Sequence, residues 1–152
     1  MRITRRLEQQ KAFLQRATKI HELQIQLLMK IHAGLSRSNY FFQRASSAMN
    51  FANETKEDLL KQYSLHIAAA SDEFIDNYLL LPETLTVILN IFFQKIDYAR
   101  RDLGFALSSE FPSGPARAAL FDKAATAAFQ ELPAILKAIE VEARSVIHGD
   151  EL

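Results

Sequence analysis

Histidine and carboxylate side chains are the main candidates for acid–base or metal chemistry here, because the sequence contains no cysteine. A metal site in a helical protein needs histidines one turn apart, or Glu-x-x-His pairs on facing helices. Neither pattern occurs around the four histidines, which are His21, His32, His66 and His148. Acidic pairs such as Asp72-Glu73 and Glu57-Asp58 fall on helix faces that we expect to be solvated. The sequence therefore predicts no metal site, no cofactor and no catalytic acid or base.

One enzymatic pattern occurs, in the segment Arg16-Ala17-Thr18-Lys19-Ile20-His21. Its Arg-x4-His spacing resembles the signature of HEPN ribonucleases, which are small helical proteins that act as dimers. The resemblance implies that Arg16 would hold charge at the scissile phosphate and that His21 would transfer a proton. The pattern departs from the family, whose motif usually lies near the last helix with a polar residue after the arginine. Here it lies in the first predicted helix, and Ala17 follows the arginine.

Basic residues are concentrated at the amino-terminal end, where residues 1–20 carry a net charge of +5. At about 100° per residue, one helix face would be basic and the opposite face would carry Leu7, Leu14 and Leu28. Such a helix can follow nucleic-acid phosphates, lie on an anionic membrane or dock an acidic partner. It can equally be the solvated side of a bundle helix. The candidate anion-binding or nucleic-acid-binding residues are Arg2, Arg5, Arg16, Lys19 and Lys30.

Large aromatic rings occupy adjacent positions, which point about 100° apart on a helix. They cannot all enter one core from a single stripe. Either the helices are surrounded on several sides, or some rings form a contact surface for another subunit. The predicted interaction residues are Tyr40, Phe41, Phe42, Phe51, Phe92 and Phe93.

The apolar spacing predicts helices throughout, because period-two alternation and the hairpin pairs Asn-Gly and Asp-Gly are absent. The first helix covers residues 2–33, and Gly34 should end it as a left-handed cap. Ser36 or Ser38 should cap a long second helix that reaches about Leu81. A break near residues 50–58 is the alternative, with a new helix starting at Asn53.

Pro82 predicts the start of a third helix that reaches about Ser108. Residues 108–115 form the predicted loop, and the last helix covers residues 116–147, with Pro133 expected to bend or split it. The predicted fold is an all-α, elongated up-and-down four-helix bundle in a single domain of residues 1–152. A break near 50–58 or at Pro133 would add a fifth helix. The buried side of the third helix is predicted to consist of Leu85, Ile88, Leu89, Phe92, Ile96, Ala99, Leu103 and Ala106.

The composition, with 49% apolar and 24% charged residues and a net charge of zero, is that of a globular protein. The longest apolar stretch, residues 78–93, is interrupted by Pro82 and is too short on either side to span a bilayer. The basic start is not followed by the apolar segment of a signal peptide. We therefore expect a cytoplasmic protein without a membrane span.

The predicted helices have unequal lengths, so an unbroken second helix would protrude with its apolar stripe uncovered. Exposed apolar surface of that extent usually contacts another chain. The sequence thus favours a non-enzymatic helical interaction or assembly module with coiled-coil character, either a homodimer or a subunit of a larger complex. The alternatives are nucleic-acid backbone binding through the basic first helix and, third, a HEPN-like ribonuclease.

Overall fold

Five α-helices make up the computed structural model, which describes residues 2–47, 53–108 and 113–149. A 3-10 turn joins the second helix to the third, and a π turn makes the last two helices one continuous helical segment. No strand occurs in these ranges, so the predicted all-α fold is confirmed. The elements are α1 (Arg2–Ser46), α2 (Lys56–Asn77), the 3-10 turn (Tyr78–Leu80), α3 (Glu83–Leu107), α4 (Pro115–Thr126), the π turn (Ala127–Glu131) and α5 (Leu132–His148).

Neighbouring helices run antiparallel, as an up-and-down bundle requires. Along each pair of neighbours, the residue numbers of one helix rise as those of the contacting helix fall. The contacts are Gln24–Leu80 and Arg44–Glu54 between α1 and the α2 side, Phe74–Phe93 between α2 and α3, Lys95–Glu131 between α3 and the π turn, and His32–Glu140 and Gln43–Ala128 between α1 and the carboxy-terminal segment.

The core is built from one apolar stripe on each helix. On α3 the stripe follows the predicted positions, and seven of the eight predicted side chains are buried, with Ile88 partly buried against the core. Tyr63 of α2 is buried against Phe42 of α1, and burial raises the pKa of its phenol to about 12. None of the helices in the described ranges is long and apolar enough to cross a membrane.

Helix α1 does not end at Gly34, so the predicted cap is wrong. The helix continues to Ser46, and Ser36 and Ser38 lie inside it rather than at a helix start. Gly34 lies where α1 crosses α2: a Cβ atom added there would lie only 2.8 Å from the Cβ of Ala70. Glycine is needed here for the close approach of two helices, not for termination.

The long second helix is divided, as the alternative interpretation allowed, because α1 ends at Ser46 and α2 begins at Lys56. Residues 48–52 lie outside the described ranges. Thr55, not Asn53, is the N-cap, and its Oγ1 accepts a hydrogen bond from the Asp58 amide at 3.0 Å. Lys56 ties the two helices together, since its Nζ donates to the carbonyl oxygens of Ala45 at 2.8 Å and Ser47 at 2.7 Å. Burial lowers the pKa of this lysine.

The interruption predicted at Pro133 takes the form of the π turn. Pro133 lacks the N–H that a regular helix would use one turn back. It lies in the first turn of α5, directly after the π turn, where the Leu132 amide donates to the carbonyl of Ala127. The five-residue spacing of that bond shifts the helix register just before the proline. Pro82, the predicted start of the third helix, is its N-cap residue, and α3 begins one residue later at Glu83.

Candidate interaction surface on helix α1

The amino-terminal part of α1 extends beyond the bundle. Every residue from 2 to 20 is exposed, whereas from Leu27 onward α1 contributes buried side chains to the core. We call residues 2–21 the arm; at 1.5 Å per residue it is about 30 Å long. Gln24 marks the edge of the bundle, since its Nε2 donates to the carbonyl oxygen of Leu80 at 2.6 Å. The protruding apolar helix is therefore the first helix. The protrusion predicted for an unbroken second helix does not arise, because that helix is divided.

A heptad seam runs without interruption from the arm into the bundle. In the bundle, side chains at alternating steps of three and four face the core, and they are Leu28, Ile31, Leu35, Ser38, Phe42 and Ala45. The same steps continue backward through Gln24 along the arm. We call these positions the arm seam: Ile3, Leu7, Gln10, Leu14, Ala17 and His21. The pattern that packs against other helices in the bundle thus has no partner within the described residues along the arm.

The arm seam is open to solvent. Its exposed fractions are 76% for Ile3, 60% for Leu7 and 63% for Leu14. Phe13, which borders the seam, is 66% exposed. Covering these apolar side chains with another helix removes them from water and lowers the free energy.

The predicted basic residues Arg2, Arg5, Arg16, Lys19 and Lys30 are all exposed on α1. None of them forms an ion pair with another described residue. Arg16 donates only to the carbonyl of Ala12, at 3.4 Å. Arg16 and His21 project about 140° apart around the helix at 100° per residue, so within one copy they do not converge on a single phosphate.

The predicted aromatic surface is distributed between core and surface. Phe42 and Phe92 are fully buried and fill the core, while Phe41 and Phe93 are partly buried against it. Tyr40 is 51% exposed, and the guanidinium of Arg44 lies 5.4 Å from its ring centroid. A hydrogen bond to Glu54 raises the pKa of Arg44. Phe51 lies outside the described residues. The described members therefore do not form one exposed patch.

A polar pair that no local sequence pattern indicates lies between α1 and α5. His32 Nε2 is 3.0 Å from Glu140 Oε1, and both side chains are about one-third exposed. This hydrogen bond lowers the pKa of the Glu140 carboxyl. The pair borders a cavity of about 240 Å³ that Met29, Arg144 and Ile147 also line. No cluster of three or more metal-ligating side chains occurs in the described ranges.

A larger groove of about 790 Å³ lies between α2 and α3, which approach each other less closely than α1 and α2 do. Its wall combines the apolar side chains of Leu60, Leu65, Ala68 and Leu107 with charged ones on both helices. The charged groups at its border are spread along two helices rather than converging on one point. The groove therefore offers apolar contact area and no grouping of catalytic side chains.

Comparisons with protein-family models, with curated proteins and with solved structures find no match to this chain.

Proposed function

We propose that the protein is a non-enzymatic helical assembly module and that the arm is its docking element. The observation that carries the proposal is the arm seam, an exposed apolar stripe in register with the buried seam of the same helix. Most helical stability in proteins comes from packing, and the arm has no packing partner within the described residues. A covering helix would supply that packing.

Self-association is the form of assembly we favour, as a homodimer or within a larger complex. As part of the same proposal we assign the protein to the cytoplasm.

The test is size-exclusion chromatography with light scattering on the whole chain and on two variants. We expect the wild type to have a mass of at least twice 17.3 kDa. Leu7→Ser combined with Leu14→Ser should shift it to the monomer, because both changes remove apolar contact from the seam. The matched control, Gln9→Ser with Ala12→Ser, places two serines on the opposite face of the arm and should leave the mass unchanged. Equal masses for the two double variants would contradict the proposal.

Nucleic-acid backbone binding is the second candidate function, supported by the exposed basic stripe on α1, whose members form no ion pair with another described residue. Binding of a labelled oligonucleotide should then weaken steeply as salt rises, because phosphate contacts release counterions. Replacing Arg16 and Lys19 by Gln should reduce the salt dependence. Absence of binding at low salt would eliminate this function.

A further inference from the structure

We propose that the arm docks on the arm of a second copy of this chain, in antiparallel orientation, and that each amino-terminus contacts the acidic end of the partner's bundle. The acidic end is the corner between α2 and α3, with Asp72, Glu73, Asp76 and Glu83. The inference rests on the proposed function above and names its partner and geometry.

The composition of the seam fits a covering helix better than a lipid surface. On the arm seam Gln10 lies between Leu7 and Leu14, and Ala17 and His21 follow Leu14. Two polar side chains and one small one weaken insertion into lipid. In helix pairs, by contrast, polar residues at seam positions are used to set register and partner choice.

The structure restricts the register. Beyond Gln24 the seam is already covered by the chain's own bundle, so an incoming helix on the seam side can advance only to His21. One antiparallel alignment uses every position of the arm seam without passing this point. In it Ile3 faces the partner's His21, Leu7 faces the partner's Ala17, and Gln10 faces the partner's Leu14. Large side chains then lie opposite small or polar ones, which favours close packing.

The antiparallel orientation of the two arms follows from the size of the bundles and from the charges on the arms. Parallel arms would bring both bundles to the same end of the pair and place Arg6 beside the partner's Lys11 on both sides. The antiparallel pair puts the bundles at opposite ends. It leaves a single like-charge contact, between the two copies of Lys11, and brings Phe13 beside the partner's Phe13, where two rings can pack.

Charge complementarity also favours contact between the arm of one copy and the bundle of the other. Residues 62–94 contain no lysine or arginine and carry a net charge of −4, against +5 for residues 1–20. Asp76 and Glu83 are exposed on either side of the 3-10 turn, and between them Leu79 is 85% exposed. In the antiparallel pair Ile3 lies beside the partner's His21, so the amino-terminal end of the arm meets the edge of the partner's bundle. Arg2 and Arg5 lie there on the face turned away from the partner's arm, from which their long side chains extend toward this corner. Opposite charges thus meet beside an uncovered apolar side chain.

A charge exchange between two variants tests this geometry. The first carries Arg2→Glu and Arg5→Glu; the second carries Asp76→Lys and Glu83→Lys. Alone, each variant brings like charges together at both ends of the dimer, and at low ionic strength we expect its dissociation constant to rise roughly tenfold or more. In a 1:1 mixture every reversed arm meets a reversed corner and every native arm a native corner. The mixture should therefore form a heterodimer about as tight as the wild-type dimer.

The outcomes separate the inference from the proposed function. If the wild type associates through Leu7 and Leu14 but mixing the two charge variants restores nothing, the antiparallel geometry is wrong and the docking role of the arm stands. A monomeric wild type that binds vesicles of anionic phosphatidylserine, or an oligonucleotide, through the arm would overturn the pairing of two copies. A monomeric wild type that binds neither would overturn the proposed function as well. Circular dichroism of both variants confirms that they fold.

Discussion

The structure differs from what local sequence patterns predict at positions where a single side chain contacts a residue far along the chain. Gly34 has the local signature of a helix end, but its role depends on Ala70, which lies far along the sequence. The hydrogen bond between His32 and Glu140 also joins distant residues, so no local pattern indicates it. Residue types and spacing predicted the core stripe of α3 correctly, because burial there depends on the helical period alone.

Glu140 should make the stability of the protein sensitive to acid. Its pKa is lowered in the folded state by the hydrogen bond from His32, so the folded protein binds this proton less readily than the unfolded chain does. The stabilisation is present above the unfolded pKa and is lost as the pH falls through the folded one. Because the pair is about one-third exposed, we expect Glu140→Gln to cost at most about 1 kcal/mol at neutral pH.

Urea denaturation of the wild type and of Glu140→Gln at pH 7 and at pH 3 measures this effect. The difference between the two proteins should shrink at the lower pH. Lys137→Gln, which changes a more exposed neighbour 4.0 Å from Glu140, is the control and should change stability little. A difference that stays the same at both pH values would show that the carboxylate charge is not involved.

Helix α1 is the element that organises the molecule, since it forms one side of the bundle and then leaves it as the arm. The break after Ser46 and the start of α2 could be anticipated from the acidic first turn of α2, although the capping residue is Thr55 and not Asn53. The length of α1 could not be anticipated, because continuation through Gly34 is stabilised by the contact with α2. The heptad spacing of the arm seam was present in the sequence, but only the buried seam of the bundle shows what that spacing packs against.

Gly34→Ala should destabilise the protein despite the better helix propensity of alanine. The added methyl group would lie 2.8 Å from the Cβ of Ala70 and would force α1 and α2 apart. Overpacking of this kind typically costs about 1–3 kcal/mol, whereas the gain in helix propensity is about 1 kcal/mol.

Gly104→Ala in α3 is a matched control for that change. Its added Cβ would lie 3.0 Å from Nη1 of Arg100, the far end of a flexible side chain that can move away. We expect Gly104→Ala to be neutral or stabilising by up to about 1 kcal/mol. Chemical denaturation of both variants measures the difference, and a more stable Gly34→Ala variant would refute the close crossing of α1 and α2.

The whole molecule is neutral, yet its charge is divided between a basic arm and an acidic corner of the bundle. Composition predicted a globular protein and apolar spacing predicted helices. Neither could indicate this division of charge, because it becomes a spatial one only when α1 leaves the bundle beside the turn between α2 and α3. An apolar seam combined with opposite charges at its two ends suits pairing between identical copies, since one antiparallel contact satisfies both ends at once.

Amide hydrogen exchange of residues 2–20, measured at a high and a low protein concentration, tests the central claim most directly, because a free arm of this length cannot protect its own amides for long. We predict that the arm amides are protected at high concentration and lose their protection on dilution, while those of the bundle stay protected at both. Leu7→Ser with Leu14→Ser should abolish protection of the arm alone. Arm amides that exchange freely at both concentrations beside a protected bundle would contradict the claim that a second copy covers the seam.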